Sequence, residues 1–242
     1  IKFKISNLPV VGLVATVFKT GITHVMVART LDILTNSITL LGQRDMYTAA
    51  HSSRVFYYCM NIIKQMGLHV DSKFTKDLYF AALLHDVGKI GVKDQLLLKP
   101  GKLSSREFKE LASHPSKGAN ILKRYNFLED SIDFIKYHHE RPDGTGYPDK
   151  LSGEDIPLGA SIIAVADSFD AMTTNRPYRT SLDYKSAVNE VEIYAGSQFD
   201  PRVAEAFLRL ISLDLVEKVN KASHKALDRV AREILKFIKG SK

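Results

Sequence analysis

The sequence predicts an all-α protein: a helical bundle preceded by a linker helix and followed by an amphipathic basic helix. Three observations predict it. Apolar residues recur at spacings of three and four through most of the chain, the period of a helix with one buried face. Helix start and stop signals punctuate that pattern. Pro, Gly and Asp crowd together in one long stretch, Glu140–Pro157, which reads as a structured loop. No internal repeat or low-complexity tract appears.

The elements follow in order. The first twenty residues, with Val10, Val11, Leu13, Val14 and Val17, read either as a strand or as the tail of a preceding domain. From Thr23 the pattern turns helical, with Val27, Leu31, Leu34, Ile38 and Leu41 on one stripe and a break at Gly42. That helix reads as a linker and a dimer coiled coil, with a place in the core as the alternative. A second helix is expected from about Tyr47 to Gln65, closed by Gly67. Another, from about Thr75 to Val87, carries Leu78, Phe80, Leu83, Leu84 and Val87 and ends at Gly88. Ser104 and Glu107 form a capping box, and Pro115 opens the next helix at its first turn. Further helices are expected at about 128–139, 158–173, 183–195 and 201–212, the last announced by Asp200-Pro201. The tail from Asp214 to Lys239 sets Val216, Val219, Ala226, Val230, Ile234 and Phe237 along one stripe. It reads as a helix packed on its own domain or on a symmetry mate, with a membrane-surface helix as the lesser option. The chain thus divides into 1–42 (N-terminal segment and linker helix), 43–212 (central helical domain) and 213–242 (C-terminal helix).

Composition excludes several classes. Of 242 residues, 45% are hydrophobic and 25% charged, which rules out a disordered, collagen-like or disulfide-stapled chain. A single cysteine, Cys59, has no internal partner and fits a reducing, cytoplasmic compartment, with the residue itself a small buried hydrophobe. The apolar run Leu8–Phe18 falls short of the roughly 20 residues a bilayer-spanning helix needs, so no transmembrane segment is expected. Opening at Ile1 rather than Met, the chain reads as a fragment of a larger protein. The net charge of +7 lies in the flanks. Residues 1–42 hold four Lys/Arg against one acid and residues 213–242 eight against four, while 43–212 hold 22 of each. A neutral centre and no aromatic-studded basic stretch argue against nucleic acid as partner.

The chemistry-bearing residues stand in that neutral centre. Of eight histidines, five accompany two aspartates at His51, His85-Asp86, His114, His138-His139 and Asp167. Imidazole and carboxylate together ligate borderline to hard divalent metals. Read as helical neighbours about 100° apart, His85 and Asp86 both reach a metal over the groove between them, and a carboxylate can bridge two ions. His24, His69 and His224 read instead as satisfied core histidines. If the helix extends that far, Lys89 shares a face with His85 and Asp86. Asp167 and Asp170 are one turn apart, so one can bind metal while the other faces a ligand. Arg176 and Arg179 offer two guanidinium forks to phosphate oxygens. Beside a metal pair, this ensemble suggests phosphoester hydrolysis.

Longer motifs carry a resemblance. His85-Asp86-Val87-Gly88-Lys89-Ile90-Gly91, Leu98-Lys99-Pro100-Gly101-Lys102-Leu103, the run from His138 to Pro148, Asp170-Ala171-Met172, Arg176-Pro177-Tyr178-Arg179 and Gln198-Phe199-Asp200-Pro201 stand in the order found in the HD-GYP family. From about Tyr47 to Ser212 the chain resembles these cyclic di-GMP phosphodiesterases of the HD superfamily of metal-dependent phosphohydrolases. The resemblance implies two divalent metals held by His51, His85, Asp86, His114, His138, His139 and Asp167. Fe or Mn suits this thiolate-free N/O set, with Ni, Co or Zn as alternatives. It also implies that Lys89 lies near the scissile phosphate and that Asp170, Arg176 and Arg179 contact substrate. The GYP loop itself comprises Asp143, Gly144, Gly146, Tyr147 and Pro148; its glycines are expected to supply turn freedom, and it borders the active site and can serve protein contacts. A metal-bridging hydroxide is the implied nucleophile, with Asp86 and Lys89 as catalytic residues and pGpG or GMP as products. A diguanylate cyclase domain and a second copy of the chain are the implied partners.

One position departs from part of the family. Some members carry Glu one turn before the first histidine and bind a third metal; here Tyr47 occupies that place. A phenol is a poor ligand near neutral pH (pKa about 10), so two metals are expected. Two alternatives stay open: a phosphohydrolase for another cyclic nucleotide, or a non-catalytic nucleotide-binding signalling module.

Overall fold

The computed structural model describes residues 46–69, 73–125, 128–174 and 181–222. The expected linker helix, the apolar run Leu8–Phe18, Arg176, Arg179, His24, His224 and the far end of the basic tail lie outside the described residues. So does the side chain of Tyr47.

Helix α1 spans Met46–Gln65 and α2 Lys73–Leu84. A 3-10 turn at Val87–Gly91 leads into the short α3, Asp94–Leu97, and α4, Ser105–Leu111. Then come α5, His114–Leu122, and α6, Glu129–Tyr137. After the long loop, which holds a 3-10 turn at Gly153–Asp155, follow α7, Leu158–Thr173, α8, Tyr184–Ile193, and α9, Pro201–Leu210. A final described helix, α10, covers 213–222. Among the described residues the sole β pairing is an isolated bridge, Ala195 to Phe199.

Local chemistry sets several boundaries. Ser104 and Glu107 form the reciprocal capping box that opens α4: Glu107 N donates to Ser104 Oγ at 3.4 Å and Ser104 N to Glu107 Oε2 at 2.8 Å. Asp200 opens α9 by accepting from Arg202 N at 2.8 Å and Val203 N at 3.4 Å, with Pro201 in the first turn, where no donor is needed. The helix expected to run to Val87 ends at Leu84 instead. His85 and Asp86 therefore stand in a turn, not on a helix face.

Packing places α7 at the centre. It touches α1, α2, α6, α8 and α9, and its Ile162, Ile163, Val165, Ala166 and Phe169 are fully buried. A helix apolar on nearly every side belongs in a core. α1 meets it with Val55, Tyr58, Cys59, Ile62 and Ile63, and the Tyr58 and Phe169 rings stand edge to face at 5.5 Å. Cys59 is a buried free thiol, as the sequence suggests. α10 contributes Val219 to the same core. Exposed His69, by contrast, is not the core histidine expected of it. Along the α1–α7 seam, apolar side chains give way at one end to His51, Arg54, Asp167 and Asp170.

Candidate metal centre

Five parts of the chain converge at that end. α1 supplies His51; the turn after α2 supplies His85 and Asp86; α5 begins with His114; the end of α6 supplies His138 and His139; α7 supplies Asp167. Two groups form, His51 with His85 and Asp167, and His114 with His138 and His139, the potential ligand atoms of each lying within 4.8 Å of one another. Asp86 stands between them. Its Oδ1 faces His114 Nε2 at 3.3 Å, and its Oδ2 faces His85 Nε2 at 3.5 Å and His51 Nε2 at 3.9 Å. One carboxylate thus offers an oxygen to each group.

A close backbone approach makes this possible. A Cβ on Gly88 would lie 1.9 Å from the carbonyl oxygen of His114 and 2.5 Å from Gly118 N. Only glycine lets the 3-10 turn lie against α5, bringing His114 up to Asp86.

The donor set fits divalent metal. His85, His114 and His138 each donate Nδ1–H to a backbone carbonyl, of Ala82, Leu111 and Ile135, at 2.9, 2.9 and 2.7 Å. That fixes the tautomer and leaves Nε2 as a lone-pair donor. Those three Nε2 atoms are buried with no hydrogen-bond partner. Leaving so many buried polar atoms unsatisfied is costly, unless a ligand takes them up.

Electrostatics holds the groups in their ligating forms. Burial pushes the His138 imidazole well down, helped by His139, and burial with the neighbouring His114 lowers His139 to about 3. Burial would raise the Asp86 carboxyl, but Lys89, His85 and His114 outweigh it and hold it well below the usual carboxylate range. Asp167 likewise stays ionised through His51, which lies 3.0 Å away. Neutral imidazoles and ionised carboxylates are what a metal requires. His51 differs: burial lowers it, but Asp167 and Asp170 together lift it to about 9.

These shifts predict a pH profile for the metal-free protein. His51, raised from 6.5 to about 9, stabilises the fold fully below 6.5, and that contribution is lost as pH rises through about 9. His139, lowered from 6.5 to about 3, does the reverse, its contribution being lost as pH falls below 6.5 toward about 3. Chelator-treated protein should therefore unfold at its highest temperature near pH 6.5 and at lower ones on either side. A midpoint that climbs steadily from neutral to pH 9 would contradict the His51 assignment.

Lys89 reaches Asp86 Oδ2 at 2.5 Å, from the 3-10 turn rather than from an extended helix. Its side chain is about a quarter exposed, so the ammonium sits at the rim of the site. The GYP loop folds back onto the centre. Tyr147 N donates to the His139 carbonyl at 3.2 Å, and the two rings lie 4.9 Å apart. Asp143 Oδ1 accepts from Thr145 N at 2.9 Å, and Gly144 takes a positive φ of 74°. Gly146 serves otherwise than expected: a Cβ there would meet Arg141 N and Glu140 Cα at 2.5 Å, so the requirement is close approach, not turn freedom. The Tyr147–Pro148 bond is cis.

Asp170, which the resemblance gives as a substrate contact, is 1% exposed, and both its oxygens are engaged by His51 and Arg54. Sequence reasoning missed Arg54 and Glu140. Arg54, one turn after His51 among buried apolar residues, was the visible signal for the first. Glu140 is buried and ties the GYP loop down by accepting from Asp149 N at 2.7 Å.

Fold and site together define a helical protein with a buried histidine–carboxylate centre built around one shared aspartate. The HD domain family matches residues 36–203, and the chain belongs to that family, its motifs placing it in the HD-GYP group. It is 43% identical over 169 residues to a cyclic di-GMP phosphodiesterase of Thermotoga maritima, covering 69% of this chain and 45% of the relative. It is 33% identical over 180 residues to 3′3′-cGAMP-specific phosphodiesterase 2 of Vibrio cholerae, covering 73% and 34%. The crystal structure of the V. cholerae cyclic GMP-AMP-specific phosphodiesterase V-cGAP3 matches with a TM-score of 0.60 at 20% identity, over 84% of this chain and 53% of that one. This chain thus spans less than half the length of these curated relatives.

Proposed function

We propose that the chain is a metal-dependent phosphodiesterase that hydrolyses cyclic di-GMP to pGpG and onward to GMP. The observation that carries the proposal is Asp86, set between two histidine groups with one oxygen toward each. His51, His85 and Asp167 would hold one divalent ion and His114, His138 and His139 the other, with Asp86 shared. The mixed N/O donors without thiolate suit Fe or Mn. When bound, such a pair supplies a nucleophilic water at neutral pH and neutralises charge in an in-line displacement.

The protein's own residues do the rest. Lys89, at the rim beside Asp86, is placed to meet a non-bridging phosphate oxygen as charge builds there. Arg176 and Arg179 suit the second phosphate as guanidinium forks. Water oxygen joins phosphorus, the P–O3′ bond breaks, and the 3′ oxygen takes the proton. Residues 43–212 form the catalytic unit in this reading, acting as a homodimer beside a diguanylate cyclase partner; light scattering tests the dimer.

Anaerobic purification, elemental analysis and product identification test the function. Release of pGpG from cyclic di-GMP is expected. Preferred cleavage of 3′3′-cGAMP, suggested by the V. cholerae relative, would move the substrate to another cyclic dinucleotide. Tight binding of intact cyclic di-GMP with no turnover under Mn, Fe or Ni would mark a signalling module instead. Lys89→Ala should lower kcat about 10²- to 10³-fold, the usual cost of one charge-stabilising donor, while elemental analysis still finds metal.

A further inference from the structure

His51 is held differently from the other histidines, and the reason lies in where it stands. His85 follows the end of α2, His114 follows α4, and His138 follows α6. The last carbonyls of a helix lack intrahelical partners, so each of these rings finds a free backbone acceptor three residues back. His51 lies inside α1, where the carbonyls one turn back are spent on the helix. Its Nδ1 must find a partner on another element, and that partner is Asp170 Oδ2 of α7, 2.7 Å away.

We propose that Asp170, clamped by Arg54, is the positioning residue that aims His51 at its metal. Arg54 leaves α1 one turn after His51 and grips Asp170 with both arms of its fork, Nε to Oδ1 at 2.6 Å and Nη2 to Oδ2 at 2.9 Å. Arg54 is 5% exposed and Asp170 1%. The guanidinium balances the carboxylate, so the clamp orients the ring without adding net charge beneath the ion. With Nδ1–H committed to Asp170, Nε2 turns toward Asp167 and Asp86. Thr174 completes the arrangement: its Oγ1 donates to the Asp170 carbonyl at 2.7 Å and accepts from Arg54 Nη2 at 3.5 Å. One clamp therefore ties α1 to α7 and fixes the chain where it leaves α7, two residues ahead of Arg176. This inference rests on the metal-centre reading above.

Mn(II) titration of the full chain, followed by calorimetry and electron paramagnetic resonance, tests it. Wild type should take two ions in an exchange-coupled pair. Asp170→Asn and Arg54→Gln should lose about 10- to 100-fold in affinity at the His51 group alone, the range for a lost outer partner. At metal levels that saturate wild type they should show an uncoupled single Mn(II) signal. Should either single variant fail to fold, the double variant Arg54→Gln/Asp170→Asn removes both buried charges together and carries the same expectation. Arg54→Lys keeps the charge but not the fork, and should stay weak. Two ions bound at wild-type affinity in Asp170→Asn, equal weakening at both groups, or full recovery in Arg54→Lys would each overturn the clamp and leave the metal centre standing. No ion bound by wild type would overturn both.

Discussion

Asp86→Ala should lose metal from both histidine groups and nearly all turnover. Its two oxygens face one group each: Oδ1 stands 3.3 Å from His114 Nε2, and Oδ2 stands 3.5 Å from His85 Nε2. The same Oδ2 holds Lys89 at 2.5 Å, so the substitution also frees the ammonium from its anchor. Removing one charge-stabilising donor costs about 10²- to 10³-fold, and here a shared ligand goes as well, so the loss should exceed about a thousandfold. The helices that frame the site pack through apolar residues elsewhere, so helical content should survive. Circular dichroism, elemental analysis and product assay on one preparation check this. Retained turnover in protein of verified composition would sink the bridging role.

Gly88→Ala should destabilise the fold and empty the second group. The added methyl would fall 1.9 Å from the His114 carbonyl oxygen, 2.8 Å from its carbon and 2.5 Å from Gly118 N, all backbone atoms that no rotamer change can move. Either the 3-10 turn or α5 must shift. Overpacking of this kind costs about 1–3 kcal/mol and sometimes more. The shift also separates His114 from Asp86, so the effect reaches beyond stability. Thermal unfolding should show the lowered midpoint, and metal analysis the loss of one ion per chain relative to wild type. A wild-type midpoint with full metal content would mean that the close approach is not what places His114.

Much of this was legible in the sequence because the rules involved are local. Capping acts across three residues, and Ser104–Glu107 and Asp200 stand where that rule puts them. The apolar period marks Leu158–Thr173 at its observed bounds. His85-Asp86 and His138-His139 are conspicuous because buried polar doublets need a reason. Even so, the local rule misjudged His85-Asp86: period continued through Val87, while the chain turned after Leu84 so that Gly88 could meet α5.

The sequence by itself determined most of the helices and the seven side chains that gather at the site, because periodicity, capping and ligand chemistry are written in residue type and short spacing. Only the tertiary structure decided what holds those side chains in place. Asp170 lies 119 residues from His51 and 116 from Arg54, and its partnership with both exists only because α1 packs along α7. Nothing within one turn of Asp170 discloses that it is buried against His51 and Arg54. Gly88 likewise reads as a helix stop until α5 lies against it. Short-range hydrogen bonding leaves its mark on neighbouring residues; the buried contacts that join distant ones depend on how whole helices come together.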